Sequence, residues 1–95
     1  MYTVGVATIE LHIPGNGSLK GKRAVIRPII SRLRNEFNVS VAEVDAQDVY
    51  QRAVIAVSCV SADAGYAHAL LMKVVEAVEN MRHDAEVVDY TIELL

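Results

Sequence analysis

Residues 39–60 read VSVAEVDAQDVYQRAVIAVSCV, two β-branched runs separated by a short polar stretch. The first, 39–46, reads as a strand, and so does the second, Tyr50 to Val60, which is rich in valine and broken by no Gly or Pro. The link between them is short, so the two strands should form an antiparallel hairpin. Its place in the chain decides the fold, because a helix-period pattern flanks it on each side.

Upstream, Ile26, Ile29, Ile30, Leu33 and Phe37 recur at the three-and-four spacing of a single apolar helix stripe. Ser18 stands where it can cap that helix by accepting from its first amides, just after the turn signal Pro14-Gly15-Asn16-Gly17. Pro28 lies inside the pattern and lacks the amide that would bond back to Ala24. The helix is therefore expected to kink there, or else to begin properly only near Val25 to Arg27. Earlier still, residues 3–13 end in clear alternation, with Ile9, Leu11 and Ile13 on one face and Thr8, Glu10 and His12 on the other, as a half-buried strand requires.

Downstream, Asp63 or Ser61 can cap a second helix, whose stripe is Ala67, Leu70, Leu71, Val74, Val75, Val78 and Met81. That helix is expected to end near Arg82 or His83, and residues 86–95 alternate as a fourth strand. The order is β-α-β-β-α-β. With right-handed crossovers it gives a ferredoxin-like α+β domain, a four-stranded antiparallel sheet with both helices on one face.

With 95 residues and 10.4 kDa, the whole of 1–95 makes a single domain, too short for a second core or a large enclosed active site. No apolar run has the ~20 residues of a membrane span, and Met-Tyr-Thr-Val-Gly lacks the form of a signal peptide. A cytoplasmic protein with no membrane partner is expected. Cys59 is the only cysteine, so there is no internal disulfide; in its valine-rich strand it reads as a small buried apolar residue.

The net charge of −3 hides an asymmetry. Residues 1–42 hold Lys20, Lys22, Arg23, Arg27, Arg32 and Arg34 against Glu10 and Glu36, a net of +4, whereas residues 43–95 hold three bases against ten acids, a net of −7. On a helix Lys20, Arg23, Arg27 and Arg34 fall within about 60° of one another, beside the apolar stripe. They form a cationic ridge, and with Lys22 they are the candidate phosphate contacts. Backbone amides at the helix start would add donors. The competing reading is a solvated helix face with ion pairs to acids such as Glu36 or Glu43.

Four ordered motifs resemble the YlxP-like family of small bacterial proteins. They are Glu10-Leu11-His12-Ile13-Pro14, Ser18-Leu19-Lys20-Gly21-Lys22-Arg23, Arg32-Leu33-Arg34-Asn35 with Phe37-Asn38-Val39-Ser40-Val41-Ala42-Glu43, and Asp48-x-x-Gln51-Arg52-Ala53. The resemblance spans about residues 2–92. It implies a ferredoxin-like fold and, from the translation-related company of the family's genes, an RNA-linked role; it carries over no catalytic residue. Gly21 stands where the family usually has a Glu that completes a capping box, and Pro28 replaces a helix former. Both departures are expected to loosen the start of the helix.

Other chemistries fit less well. The central strands lack the aromatics on which a single-strand RNA reader stacks bases, since Tyr50 stands alone near the start of the third strand. The spacing from Gly15 to Lys22 fails as a nucleotide loop, with Gly17 and Gly21 too close and Arg23 in place of a magnesium-binding hydroxyl. Arg23 and Asn38 could be cast as the phosphate-binding pair of an acylphosphatase, but the rest of that family's loop is absent. Glu10 with His12, and Glu43, Asp45 and Asp48, are metal-ligand types without metal-site spacing. No catalytic residue, metal or cofactor is expected. The preferred reading is binding to structured RNA or a ribosome-assembly intermediate. The main rival is a homodimer or other interaction module that hides an apolar outer sheet face (Val4, Val6, Tyr50, Val54, Val60) or pairs an edge strand.

Overall fold

The computed structural model describes residues 1–82 and 84–95. Its elements are β1 (Thr3–His12), α1 (Leu19–Glu36), β2 (Ser40–Asp45), β3 (Arg52–Ser61), α2 (Ala64–Glu79) and β4 (Glu86–Leu94). The strands form one antiparallel sheet in the order β2-β3-β1-β4, the ferredoxin-like arrangement. Alternation places Ala7, Ile9, Leu11 and Ile13 in the core, with Ile9 opposite Ile55 and Ala7 opposite Val57 and Ile92. The core is closed by Val25, Ile26, Ile29 and Leu33 of α1 and by Ala67, Leu71, Val74, Val75 and Val78 of α2. Burying one such aliphatic side chain contributes roughly 1.5–3 kcal/mol. Cys59 lies in this core at 5% exposure. At Gly5 a Cβ would stand 2.8 Å from Leu71 Cδ1, so α2 sits on β1 at a distance that only glycine permits.

Both helix starts use the caps expected of them. Ser18 Oγ accepts from Gly21 N at 2.9 Å, and Asp63 Oδ1 accepts from Gly65 N and Tyr66 N at 2.8 and 3.3 Å. Ser61 Oγ in turn accepts from Asp63 N at 3.0 Å. The first turn of α1 is formed across Gly21. A Cβ there would overlap Asn16 Oδ1, and the Asn16 amide donates to Ser18 O at 2.8 Å and to Tyr50 O at 2.6 Å. Asn16 occupies the space above the first turn and ties it to the far end of the hairpin.

Three expectations are corrected. β3 begins at Arg52 rather than Tyr50, because residues 46–51 form the connection from β2, with Ala46 at φ +59° and Val49 N bonded to Ala46 O at 3.0 Å. α2 ends at Glu79, where Asn80 closes it by donating its backbone N–H to Glu76 O; His83 lies outside the described residues. α1 does not start late, since Leu19–Glu36 is one helix running through an exposed Pro28. The carbonyl that Pro28 leaves without its helical donor is that of Ala24, and Arg82 Nη1 reaches it at 3.5 Å. Asp84 fixes Arg82 by two bonds of 2.7 and 2.8 Å. A side chain from the α2–β4 connection thus partly restores the missing helix bond. Replacing Pro28 with Ala returns the amide to an exposed site, so Pro28→Ala is expected to raise unfolding stability by about 1–3 kcal/mol in urea titration.

Candidate functional site

α1 lies alongside the open edge of β2, and its polar face carries the basic residues. Lys20, Arg23, Arg27 and Arg34 are all exposed, as their spacing around the helix requires. Among the described residues Lys20, Arg23 and Arg27 make no ion pair, whereas Arg32 is taken by Glu36 at 2.6 Å. Arg23 and Arg27 border a cleft of about 430 Å³ between α1 and the β2 side, floored by Ile26 and Ile30 and walled opposite by Glu43 and Asp48. On their other side Lys20, Arg23 and Arg27 frame a shallow concavity over Ala24 and Pro28.

Arg34 stays on the ridge with part of its donor set already used, because its Nη2 donates to Val41 O of β2 at 2.7 Å. Lys22 leaves the candidate set altogether. It is only 2% exposed, and its ammonium donates to Ala46 O at 2.5 Å and Val49 O at 3.0 Å, lies 3.5 Å from Gln47 O, and pairs with Glu43 Oε2 at 2.8 Å. The helix wheel carried this signal. Lys22 precedes Ile26, Ile29 and Leu33 by four, seven and eleven residues, which sets it on the apolar stripe and not on the ridge. The donors of this ammonium are spent within the protein.

Of the remaining candidates, Glu10, His12 and Asp45 are held by ordinary pairs. Glu10 accepts from Arg52 at 3.0 and 3.4 Å across β1 and β3, and this hydrogen bond holds the Glu10 carboxyl below the usual carboxylate range. His12 Nδ1 lies 3.0 Å from Glu86 Oε1, and Asp45 accepts from Ala46 N at 2.7 Å. No group of three His, Cys, Asp or Glu side chains is placed to hold a metal ion among the described residues. Arg23 and Asn38 lie near opposite ends of α1, about 20 Å apart along the helix axis, so they do not form a phosphate-binding pair.

The expected apolar patch on the outer sheet face also shrinks. Val54 is buried and Val4 and Val6 half-buried, Tyr50 belongs to the β2–β3 connection, and Val60 alone stands well exposed at 70%. Between them the face presents Thr8, Glu10, Arg52, Ser58 and Thr91, with Glu10 opposite Asp89. Its charged groups are mostly acidic, and among the described residues no aromatic side chain of β1 or β3 stands on it.

The contrast between Lys22 and the ridge is measurable by thermal unfolding. Lys22→Met removes the cation beside the buried Glu43 Oε2 and strips several carbonyls of their donor, and is expected to cost about 3 kcal/mol. Arg23→Glu and Arg27→Glu are expected to stay within about 0.5 kcal/mol of the wild type.

A family model and a curated relative match the chain. Residues 4–92 match the family described as protein of unknown function (DUF503). The uncharacterized protein YlxP of Bacillus subtilis (strain 168) is 45% identical over 58 residues, covering 61% of this chain and 63% of that protein. The matched segment thus spans less than two thirds of the curated relative's length. No helix among the described residues is long and apolar enough to cross a membrane. Since the family match covers nearly all of β1 through β4, the chain belongs to the DUF503 family, the YlxP-like proteins of unknown function.

Proposed function

We propose that this chain is a non-catalytic binder of structured RNA, or of an RNA-containing ribosome-assembly intermediate, that grips phosphates with Lys20, Arg23 and Arg27 and with the spare donors of Arg34. The observation that carries the reading is that three neighbouring exposed cations have no ion pair among the described residues, in a chain whose net charge is −3. Elsewhere on the molecule, Lys73 excepted, bases are matched with acids: Arg52 with Glu10, Arg82 with Asp84, Lys22 with Glu43. A ridge left unmatched presents a positive field that a polyanion can fill, releasing counterions as it does so.

The acidic sheet face narrows the mode of contact. Glu10, Asp45 and Asp89 repel a backbone laid across the strands, and the lack of aromatics removes base stacking there. Contact through α1 alone reads backbone and shape, not sequence. A structured RNA of the translation machinery suits that mode of contact, and a cytoplasmic location accompanies the proposal.

The test is fluorescence anisotropy of a labelled RNA hairpin at two salt concentrations. Micromolar binding is expected, with a log–log salt slope of magnitude about 3–4 for four phosphate contacts. The Arg23→Glu, Arg27→Glu double variant is expected to bind at least tenfold more weakly, with a slope of magnitude about 2 or less because only Lys20 and Arg34 still hold phosphates. No binding at low salt, or unchanged affinity in the double variant, would overturn the reading.

A further inference from the structure

The two edges of the sheet are treated differently. Ile13 N donates to Gln51 O at 2.9 Å, which shows that odd-numbered residues of β1 bond to β3. Even-numbered residues of β1 therefore bond to β4, as the reciprocal Val4–Leu95 bonds of 3.3 and 2.7 Å confirm. By the same parity Val41 and Glu43 of β2 point their backbone groups outward, and Tyr90, Ile92 and Leu94 of β4 do likewise. On β2 the outward Val41 carbonyl is taken by Arg34. On β4 no side chain bonds the outward groups of Tyr90, Ile92 or Leu94 among the described residues.

β4 is also the longer edge, nine residues against six, and it carries neither the proline nor the lysine that commonly guards one. Its inner-face side chains Tyr90 and Leu94 are 40% and 43% exposed, and Ile92 between them is half-buried. At the other end the register shift beside Glu10 and Leu11 leaves Val88 as the extra residue of a bulge, which limits a straight pairing surface to residues 89–95.

We infer that β4 pairs antiparallel with β4 of a second copy of this chain, about a two-fold axis at Ile92, to make one continuous eight-stranded sheet. Charge selects this register. With Ile92 opposite Ile92, Tyr90 meets Leu94 on the inner face, while on the outer face Glu93 meets Thr91 and Asp89 meets Leu95. Centring on Thr91 sets Glu93 against Asp89, and centring on Glu93 sets it against itself; like charges directly opposite are unfavourable. Of the registers that pair at least five residues of the straight segment 89–95, the Ile92 register alone joins outward-facing backbone groups without opposing two acids, and it supplies about six backbone hydrogen bonds. The edge is self-complementary, as a two-fold interface must be. Strand order then puts the two α1 ridges at opposite ends of the assembly, with the β2 strands about 34 Å apart.

Thr91 is exposed and lies opposite Glu93 of the second copy in this register alone, so its charge variants test both the dimer and its alignment. Sedimentation equilibrium from micromolar to roughly 0.5 mM protein is expected to show a monomer–dimer equilibrium for the wild type. Thr91→Lys is expected to tighten it roughly threefold to tenfold by facing Glu93 twice, and Thr91→Glu to weaken it by a similar factor. Circular dichroism should show both variants folded. A wild type that stays monomeric throughout would overturn the inference. So would a dimer that both variants weaken alike, as the Thr91-centred register requires, or one that neither alters.

Discussion

The buried ammonium of Lys22 is the contact on which the arrangement of α1 and the central hairpin depends. It reaches from the apolar stripe of the helix to the carbonyls of Ala46 and Val49 and to the Glu43 carboxylate. Ala46 stands at φ +59°, a left-handed conformation that costs a non-glycine residue roughly 1–2 kcal/mol. The turn keeps that conformation because the bonds to Lys22 and to Asp45 hold it on both sides. A buried cation demands full pairing, so the partners it requires specify how the helix sits against β2 and where the β2–β3 connection folds back.

Two further long-range polar contacts complete the frame. Asn16 fills the space above Gly21 and bonds Tyr50, linking the β1–α1 loop to the end of the same connection. Arg82, held by Asp84, offers a donor to the Ala24 carbonyl that Pro28 cannot serve. Gly21 and Pro28 look unfavourable as helix residues considered alone. Each is answered by a side chain distant in sequence or packed from outside the helix, so local propensity misjudges both.

The division of charge along the chain becomes a division in space. The basic segment folds as α1 beside β2, while β4, at the opposite edge, carries Glu86, Asp89 and Glu93. An anionic ligand would therefore approach the β2 side, leaving β4 for contact with another protein surface. The two proposed activities use separate edges and do not compete for residues.

Hydrophobic period alone determined most of the architecture. Alternation in β1 and β4, the stripes of α1 and α2, and the caps Ser18 and Asp63 are local patterns, and the order of elements leaves few topologies once crossovers are right-handed. The ridge of Lys20, Arg23, Arg27 and Arg34 was legible for the same reason, being a matter of angle around one helix. The fate of Lys22, the Val41 bond that occupies part of Arg34, and the burial of Val54 on the outer face were decided by tertiary structure. A charge's partners are set by which distant backbone groups arrive beside it, and helical or strand periodicity holds no record of that.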